Sequence, residues 1–306
     1  SPFTAHPKID PETGDWYTFS TEFRGGKIHH AVLKQGQLTT YSVIDQKKPA
    51  LAFLHDYYLT ENYLVFPDLS LRFDPAKMMS DEKSPMVFDP GYKMRWGVIK
   101  RDYKEGDAIH WFDTDKPGHL WHTVNGWEET RDDGGTDIVV FAPVFRSYPS
   151  NIPIHNPQEP HTEFTKWRLN LDTGKVTEDR VLLDHFYERP SFNTRYVGKK
   201  NHYAYLLDEQ KEGMMAKGVL KYDMINEREV KYVDYGEFYG GDDLAGAQRR
   251  AAIAGDEGRE RQHAPARGEA RDALVDELLR RHGRQHGAAV LDLVLLRDAV
   301  VGAVGR

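Results

Sequence analysis

With 306 residues, 39% hydrophobic, 12% aromatic and 29% charged, the chain has the make-up of a soluble globular protein able to bury one large core or two modest ones. A net charge of −7 lacks the basic footprint of a general nucleic-acid binder, and no run of about 18 apolar residues is present to span a bilayer. Zero cysteines exclude disulfides and thiolate ligands, so any metal must be held by His, Asp or Glu.

The chain begins Ser-Pro-Phe, without Met and without a signal-like segment, as a fragment would. From Asp15 to Val233, short runs rich in Tyr, Phe, Val and Trp recur between turn signals. The pattern predicts strands at 15–23, 28–33 and 39–44. Residues 51–68 read as an apolar strand closing on the polar pair His55-Asp56, followed by a second strand from Tyr63 to Phe66. Further strands are expected at 138–145, 165–171, 203–207 and 218–222. The turns between them, Asp-Pro-Glu-Thr-Gly at 10–14, Arg-Gly-Gly at 24–26, Gln-Gly-Gln at 35–37 and Asp-Thr-Gly at 172–174, use Gly for positive φ and Asp or Asn to cap. No amphipathic helix of ten or more residues is apparent before residue 243. Regular short strands fit a sandwich, a barrel or a propeller, and the recurring strand, turn, strand phrase favours the propeller. The proline-rich stretch from Tyr148 to Pro160 reads as a solvated loop on one face.

At residue 243 the composition changes. Residues 244–306 contain no Lys, Phe, Trp or Tyr, and about half of them are Ala, Arg or Gly. Such a tail reads as an interaction arm or as the product of a shifted reading frame in GC-rich coding DNA. The abrupt break inside a strand-like phrase favours the frame shift. The expected division is therefore a partial propeller domain, 1–243, and an out-of-frame or disordered tail, 244–306.

Three of the fourteen histidines stand in marked places. His6 lies in Thr-Ala-His-Pro-Lys, His55 where the apolar run of 51–54 turns polar, and His122 in Trp-His-Thr-Val-Asn-Gly-Trp-Glu-Glu. A lone histidine is more often a surface or satisfied core residue than a ligand. His29, His30, His155, His161 and His202 lie in polar or loop contexts, while His282 and His286 fall in the tail. About fifty residues separate His6 from His55 and nearly seventy separate His55 from His122. That spacing excludes a zinc finger or a His-Glu-x-x-His site and leaves one gathered from distant strands. Propeller blades converge on an axis, so one imidazole per blade would produce such a cluster. Neutral imidazoles without thiolate suit iron, zinc or copper, and open positions on iron permit oxygen chemistry.

These segments resemble the histidine motifs of the carotenoid cleavage oxygenases. Thr4-Ala5-His6-Pro7-Lys8-Ile9-Asp10-Pro11-x-Thr13-Gly14 is similar to their first motif, the run from His55 to Tyr63 to the second, and Trp121-His122-x-Val124-Asn125-Gly126-Trp127-Glu128-Glu129 to the third. Arg95-Trp96-Gly97-Val98 resembles the strand between the second and third. Tyr187-Glu188-Arg189-Pro190 through Lys200, and Gly236-Glu237 through Gly241, resemble segments that carry further carboxylates. The resemblance spans residues 3–243, with the motifs in order.

It implies an all-β, seven-bladed propeller, here incomplete at both ends, with Fe(II) on its axis held by four histidines. His6, His55 and His122 would be three of them. Glu188 would hydrogen-bond a ligand imidazole, and Asp242 would stand at the position of another such carboxylate, one methylene shorter than the usual Glu. Glu128 reads as structural. The fourth histidine, expected in a Gly-Phe-His-Gly-like context, is missing, and His263, His282 and His286 lack that context. The implied reaction splits a double bond of a carotenoid or apocarotenoid with O₂ into two carbonyl products. A stilbene-cleaving dioxygenase and an inactive propeller fragment lacking the fourth ligand are the alternatives. Phe53, Tyr57, Trp121 and Trp127 would suit an apolar polyene tunnel, although blade core is the commoner use of such aromatics. A polyene substrate further implies peripheral membrane contact through an apolar patch, which the sequence does not locate. Cytoplasmic and plastid settings, and the oligomeric state, stay open.

Overall fold

A computed structural model describes residues 4–22, 26–45, 54–74, 86–147, 161–209 and 216–235. The chain runs through β1 (Lys8–Ile9), β2 (Trp16–Thr21), β3 (Lys27–Lys34) and β4 (Gln37–Asp45), which pair antiparallel in that order as one sheet. Next come β5 (Tyr58–Leu59), β6 (Tyr63–Asp68), a small hairpin of β7 (Leu71–Phe73) with β8 (Met86–Phe88), β9 (Arg95–Lys100) and β10 (His110–Asp113). Apart from the hairpin, these form a second sheet in the order β10-β9-β6-β5. β11 (Gly126–Thr130), β12 (Thr136–Val144), β13 (Glu163–Asn170) and β14 (Lys175–Asp184) make the third; β15 (Tyr187–Phe192), β16 (Tyr203–Glu209), β17 (Ala216–Asp223) and β18 (Arg228–Asp234) make the fourth. The described residues hold no α-helix, only one 3-10 turn at Thr194–Tyr196.

The second and third sheets are buried on both faces, because successive side chains of a strand point to opposite sides. In β12, Ile138, Val140, Ala142 and Val144 pack with Tyr58, Val65, Trp96 and Phe112 of the second sheet. The intervening Val139 and Phe141 pack with Ala204, Leu206 and Leu220 of the fourth. Between the first two sheets lie Phe19, Ile28, Val32 and Ile44 against Leu59, Leu64 and Phe66. Four-stranded meanders stacked face to face in chain order are propeller blades. The described residues account for four of them; the count of seven and the incompleteness at both ends remain expectations of the resemblance.

The predicted turns at 10–14, 35–37 and 172–174 behave as their chemistry requires, with Gly14, Gly36 and Gly174 at positive φ, while residues 24 and 25 of the turn at 24–26 lie outside the described residues. Asp10 Oδ1 accepts the amides of Glu12 and Thr13, and Asn170 Oδ1 those of Asp172 and Thr173. One expectation is corrected. His55 does not end a strand: residues 54–57 are outside the sheet and β5 begins at Tyr58. The cause is the Asp56 side chain, which accepts the amide of Tyr57 beside it and that of distant Thr123 and takes the place of ladder bonds. Asp242, the loop at 148–160 and the tail at 244–306 lie outside the described residues. Within the described residues, no helix is long and apolar enough to cross a membrane.

Candidate metal centre

The first strand of each sheet, β1, β5, β11 and β15, is an edge strand, and the marked residues sit at its entrance. His6 is two residues before β1, His55 three before β5 and His122 four before β11, while Glu188 is the second residue of β15. Four chemically marked side chains thus come one from each of four successive blades.

The structure brings the three imidazoles together. Their ring centroids are 4.7 Å (His6 to His55), 4.9 Å (His6 to His122) and 5.2 Å (His55 to His122) apart. One nitrogen from each lies within 4.8 Å of the others, and the Nε2 atoms of His6 and His55 are 2.9 Å apart. Two nitrogens each roughly 2.1 Å from one cation, at a right angle, are about 3 Å apart, so this separation suits two donors to one ion. All three rings are half-buried rather than sealed.

Burial lowers the His6 pKa against the pull of the Asp56 carboxylate. His55 is pushed down to about 4 by burial and by repulsion from His6 and His122. Both are therefore neutral at pH 7, with a lone pair to offer. His122 differs. Burial works to lower it, but the charge and hydrogen bond of Glu188, with the charge of Asp56 added, together raise it above its ordinary value. Glu188 Oε2 is 2.6 Å from His122 Nδ1 and only 5% of the glutamate is exposed. A carboxylate there places the proton on Nδ1 and leaves Nε2 as the donor. Three imidazole donors, one oriented by a carboxylate, with no thiolate in the chain, fit a borderline divalent metal.

The profile described as "Retinal pigment epithelial membrane protein" matches residues 1–247. The chain belongs to this family, the carotenoid cleavage oxygenases. It is 34% identical over 211 residues to the chloroplastic 9-cis-epoxycarotenoid dioxygenase of Oryza sativa subsp. japonica, across 66% of this chain and 31% of that protein. It is 30% identical over 238 residues to carotenoid 9,10(9',10')-cleavage dioxygenase 1 of Arabidopsis thaliana, across 74% of this chain and 41% of that one. The chain therefore spans less than half the length of these curated relatives. The crystal structure of Pseudomonas brassicacearum lignostilbene dioxygenase superposes with a TM-score of 0.65 at 23% identity, across 77% of this chain and 52% of that one, which shows a shared propeller fold.

Other residues of the carotenoid oxygenase motifs take different places. Glu128 accepts from Thr60 Oγ1 and the Asn62 amide, each at 2.7 Å, and from Asn62 Nδ2 at 2.8 Å. It closes the β5–β6 turn and does not face the imidazoles. Of the four aromatics expected to suit a polyene tunnel, Tyr57 and Trp127 are blade core at 3% and 2% exposure, and Phe53 lies outside the described residues. Trp121 alone stays beside the centre, partly exposed and edge-on to His55 at 5.3 Å. His119 was not singled out from the sequence. It is fully buried behind Trp121, edge-on at 4.8 Å, and its main chain bridges to Phe145. Nothing in its sequence context distinguishes it from a core residue.

Proposed function

We propose that this protein is a non-haem Fe(II)-dependent dioxygenase that cleaves a carbon-carbon double bond of a carotenoid or apocarotenoid with O₂. The observation that carries the reading is the convergence of His6, His55 and His122 from three blades, with Glu188 of a fourth on His122. The ordered motifs and the named activities of the plant relatives support it.

In this reading His6 and His55 give neutral Nε2 donors, because burial keeps protons off them. Glu188 holds the His122 proton at Nδ1, so that Nε2 faces the centre. Bound there, Fe(II) supplies the one-electron chemistry that lets O₂ react with a closed-shell alkene; the double bond breaks and each carbon takes one oxygen atom. The partly exposed Trp121 offers an apolar flank for a conjugated chain beside His55.

The test is turnover of an apocarotenal by the chain reconstituted with Fe(II) under ¹⁸O₂, with a stilbene as a parallel substrate. Two carbonyl fragments that need iron and carry the label are expected. Equal turnover in excess chelator rejects the iron chemistry, stilbene cleavage alone moves the substrate class, and no product from either alkene together with no stoichiometric Fe(II) binding leaves the inactive-fragment reading.

A further inference from the structure

The three histidine segments are fastened to one another by a second set of side chains, one from each. Lys8 lies two residues past His6, Asp56 follows His55 and Thr123 follows His122. Lys8 Nζ is 2.7 Å from Asp56 Oδ1 and donates to Thr123 Oγ1 at 3.2 Å. Asp56 Oδ2 accepts both the amide and the hydroxyl of Thr123, at 2.8 and 2.7 Å, while Oδ1 also accepts the Tyr57 amide at 2.8 Å. One carboxylate, 2% exposed, therefore touches all three segments. Thr4 adds a fourth tie: its hydroxyl donates to the His55 carbonyl at 3.0 Å and accepts the His6 amide at 3.1 Å.

Stability alone is a poor account of this arrangement. A buried ion pair is often matched or bettered by apolar residues of the same volume. What directional bonds add here is register. The ladder bonds of each blade run within that blade, and apolar packing between blades is non-directional. Each imidazole sits at a blade edge, so its distance to the other two depends on contacts made between blades beside it. A functional centre tolerates only about 0.5 Å of error in such positions.

We propose that Lys8, Asp56 and Thr123 form a positioning knot that holds His6, His55 and His122 at cation-binding separation before a cation arrives. The proposal rests on the reading of the three imidazoles as metal donors, and the experiment separates the two ideas. The apo chain is labelled at histidine ¹³Cε1 and each resonance is assigned by single-histidine substitution. Thr123→Val is compared with Thr123→Ser and with Ser42→Ala, the last of which removes a buried hydroxyl of the first blade that donates to the Tyr103 carbonyl of the second. Thr123→Val is expected to shift the His6 and His55 resonances as well as that of His122. Thr123→Ser is expected to restore all three, and Ser42→Ala to leave them in place. The dissociation constant for Co(II) should rise about tenfold or more in Thr123→Val and stay within about twofold in Thr123→Ser. A shift confined to His122, or loss of Co(II) affinity that only follows stability in Thr123→Val and Ser42→Ala alike, overturns the knot. Should the Val variant fail to fold, the double variant Lys8→Met, Asp56→Asn, which removes both charges together, is read the same way. If the unmodified chain takes up no Co(II) while the three resonances still move together, the donor reading fails and the positional coupling stands.

Discussion

Arg189 grips Glu209 with two parallel bonds, Nε to Oε1 at 2.5 Å and a terminal nitrogen to Oε2 at 2.7 Å, from a backbone held at φ +45°. That left-handed conformation is unfavourable for a residue with a side chain, by roughly 1–2 kcal/mol. The β15–β16 register slips between Glu188 and Ser191, and Arg189 sits in the slip. In this conformation its own amide donates to Glu188 Oε2, the oxygen that also meets His122. The fork on Glu209 thus supports the turn that presents the Glu188 carboxylate.

Arg189→Met takes the guanidinium away from a carboxylate whose side chain is 5% exposed. Breaking a buried pair from one side is strongly destabilising, and a loss of about 3 kcal/mol or more is expected in urea unfolding. The double variant Arg189→Met, Glu209→Met should recover most of it, because no charge is left stranded. A single variant within about 1 kcal/mol of the parent would refute the supporting role.

Glu188→Gln keeps the shape of the side chain and removes its charge. His122 Nδ1 retains an acceptor, but the carboxylate no longer favours the proton there or strengthens Nε2 as a donor. Co(II) affinity measured from its absorption spectrum should fall about 10- to 100-fold. His6→Ala should abolish stoichiometric binding outright, since it leaves two donors of the described cluster. Unchanged affinity in Glu188→Gln would mean that the 2.6 Å contact has no bearing on the donor.

His30 supplies a pH prediction away from the centre. It is 2% exposed, between Ile28 and Val32 on the buried face of β3, stacked on Tyr17 at 6.1 Å. Burial pushes its pKa down to about 4. An unfolded histidine titrates near 6.5, so between about 6.5 and 4 the unfolded chain holds a proton that the folded chain refuses. Stability therefore rises with pH across that window; it is fully present above it and lost as pH falls. From pH 7 to 5 the residue accounts for about 2 kcal/mol of lost stability, from 1.5 units at about 1.4 kcal/mol each. In His30→Leu the fall in unfolding free energy from urea titrations over the same interval should be smaller by that amount, and an identical fall in both proteins would contradict the assignment.

How much of this was legible in the sequence depends on the range of the interactions. A short apolar run rich in β-branched and aromatic residues is a local signal, so 138–145 and 203–207 read as strands, and β12 (136–144) and β16 (203–209) stand there with nearly every residue buried. The first residue of each strand was less readable, because side chains decide it: Asp56 draws residues 54–57 out of the sheet by bonding amides of its own segment and of 123. The sequence does not predict β14, since Lys175–Asp184 has polar or charged residues at most positions and no apolar alternation to give it away. At the centre, the three histidines were marked by their motifs, yet no spacing rule shows that Lys8, Asp56 and Thr123 would meet. That meeting is a property of blade edges, and it becomes visible only when distant segments are placed side by side.

Gly198 tests how the loop after Glu188 is seated. Its φ is +76°, and a Cβ there would stand 3.0 Å from the Leu59 carbonyl oxygen and 3.1 Å from Thr60 backbone atoms. Asn125 grips the same loop: its Oδ1 accepts the Gly198 amide, and its Nδ2 donates to the carbonyls of Tyr196 and Lys199 and to Asn201 Oδ1. Gly106 has φ +98° with nothing within 4 Å of its added Cβ, so it isolates the conformational part. Gly106→Ala should therefore lose about 1 kcal/mol, while Gly198→Ala adds a clash with backbone that cannot swing away and should lose about 2–4 kcal/mol. Denaturant midpoints of the two variants measure the difference. Equal losses would show that the glycine serves only the turn, and a larger loss at Gly198 that the loop must lie directly on the β5 segment that follows His55.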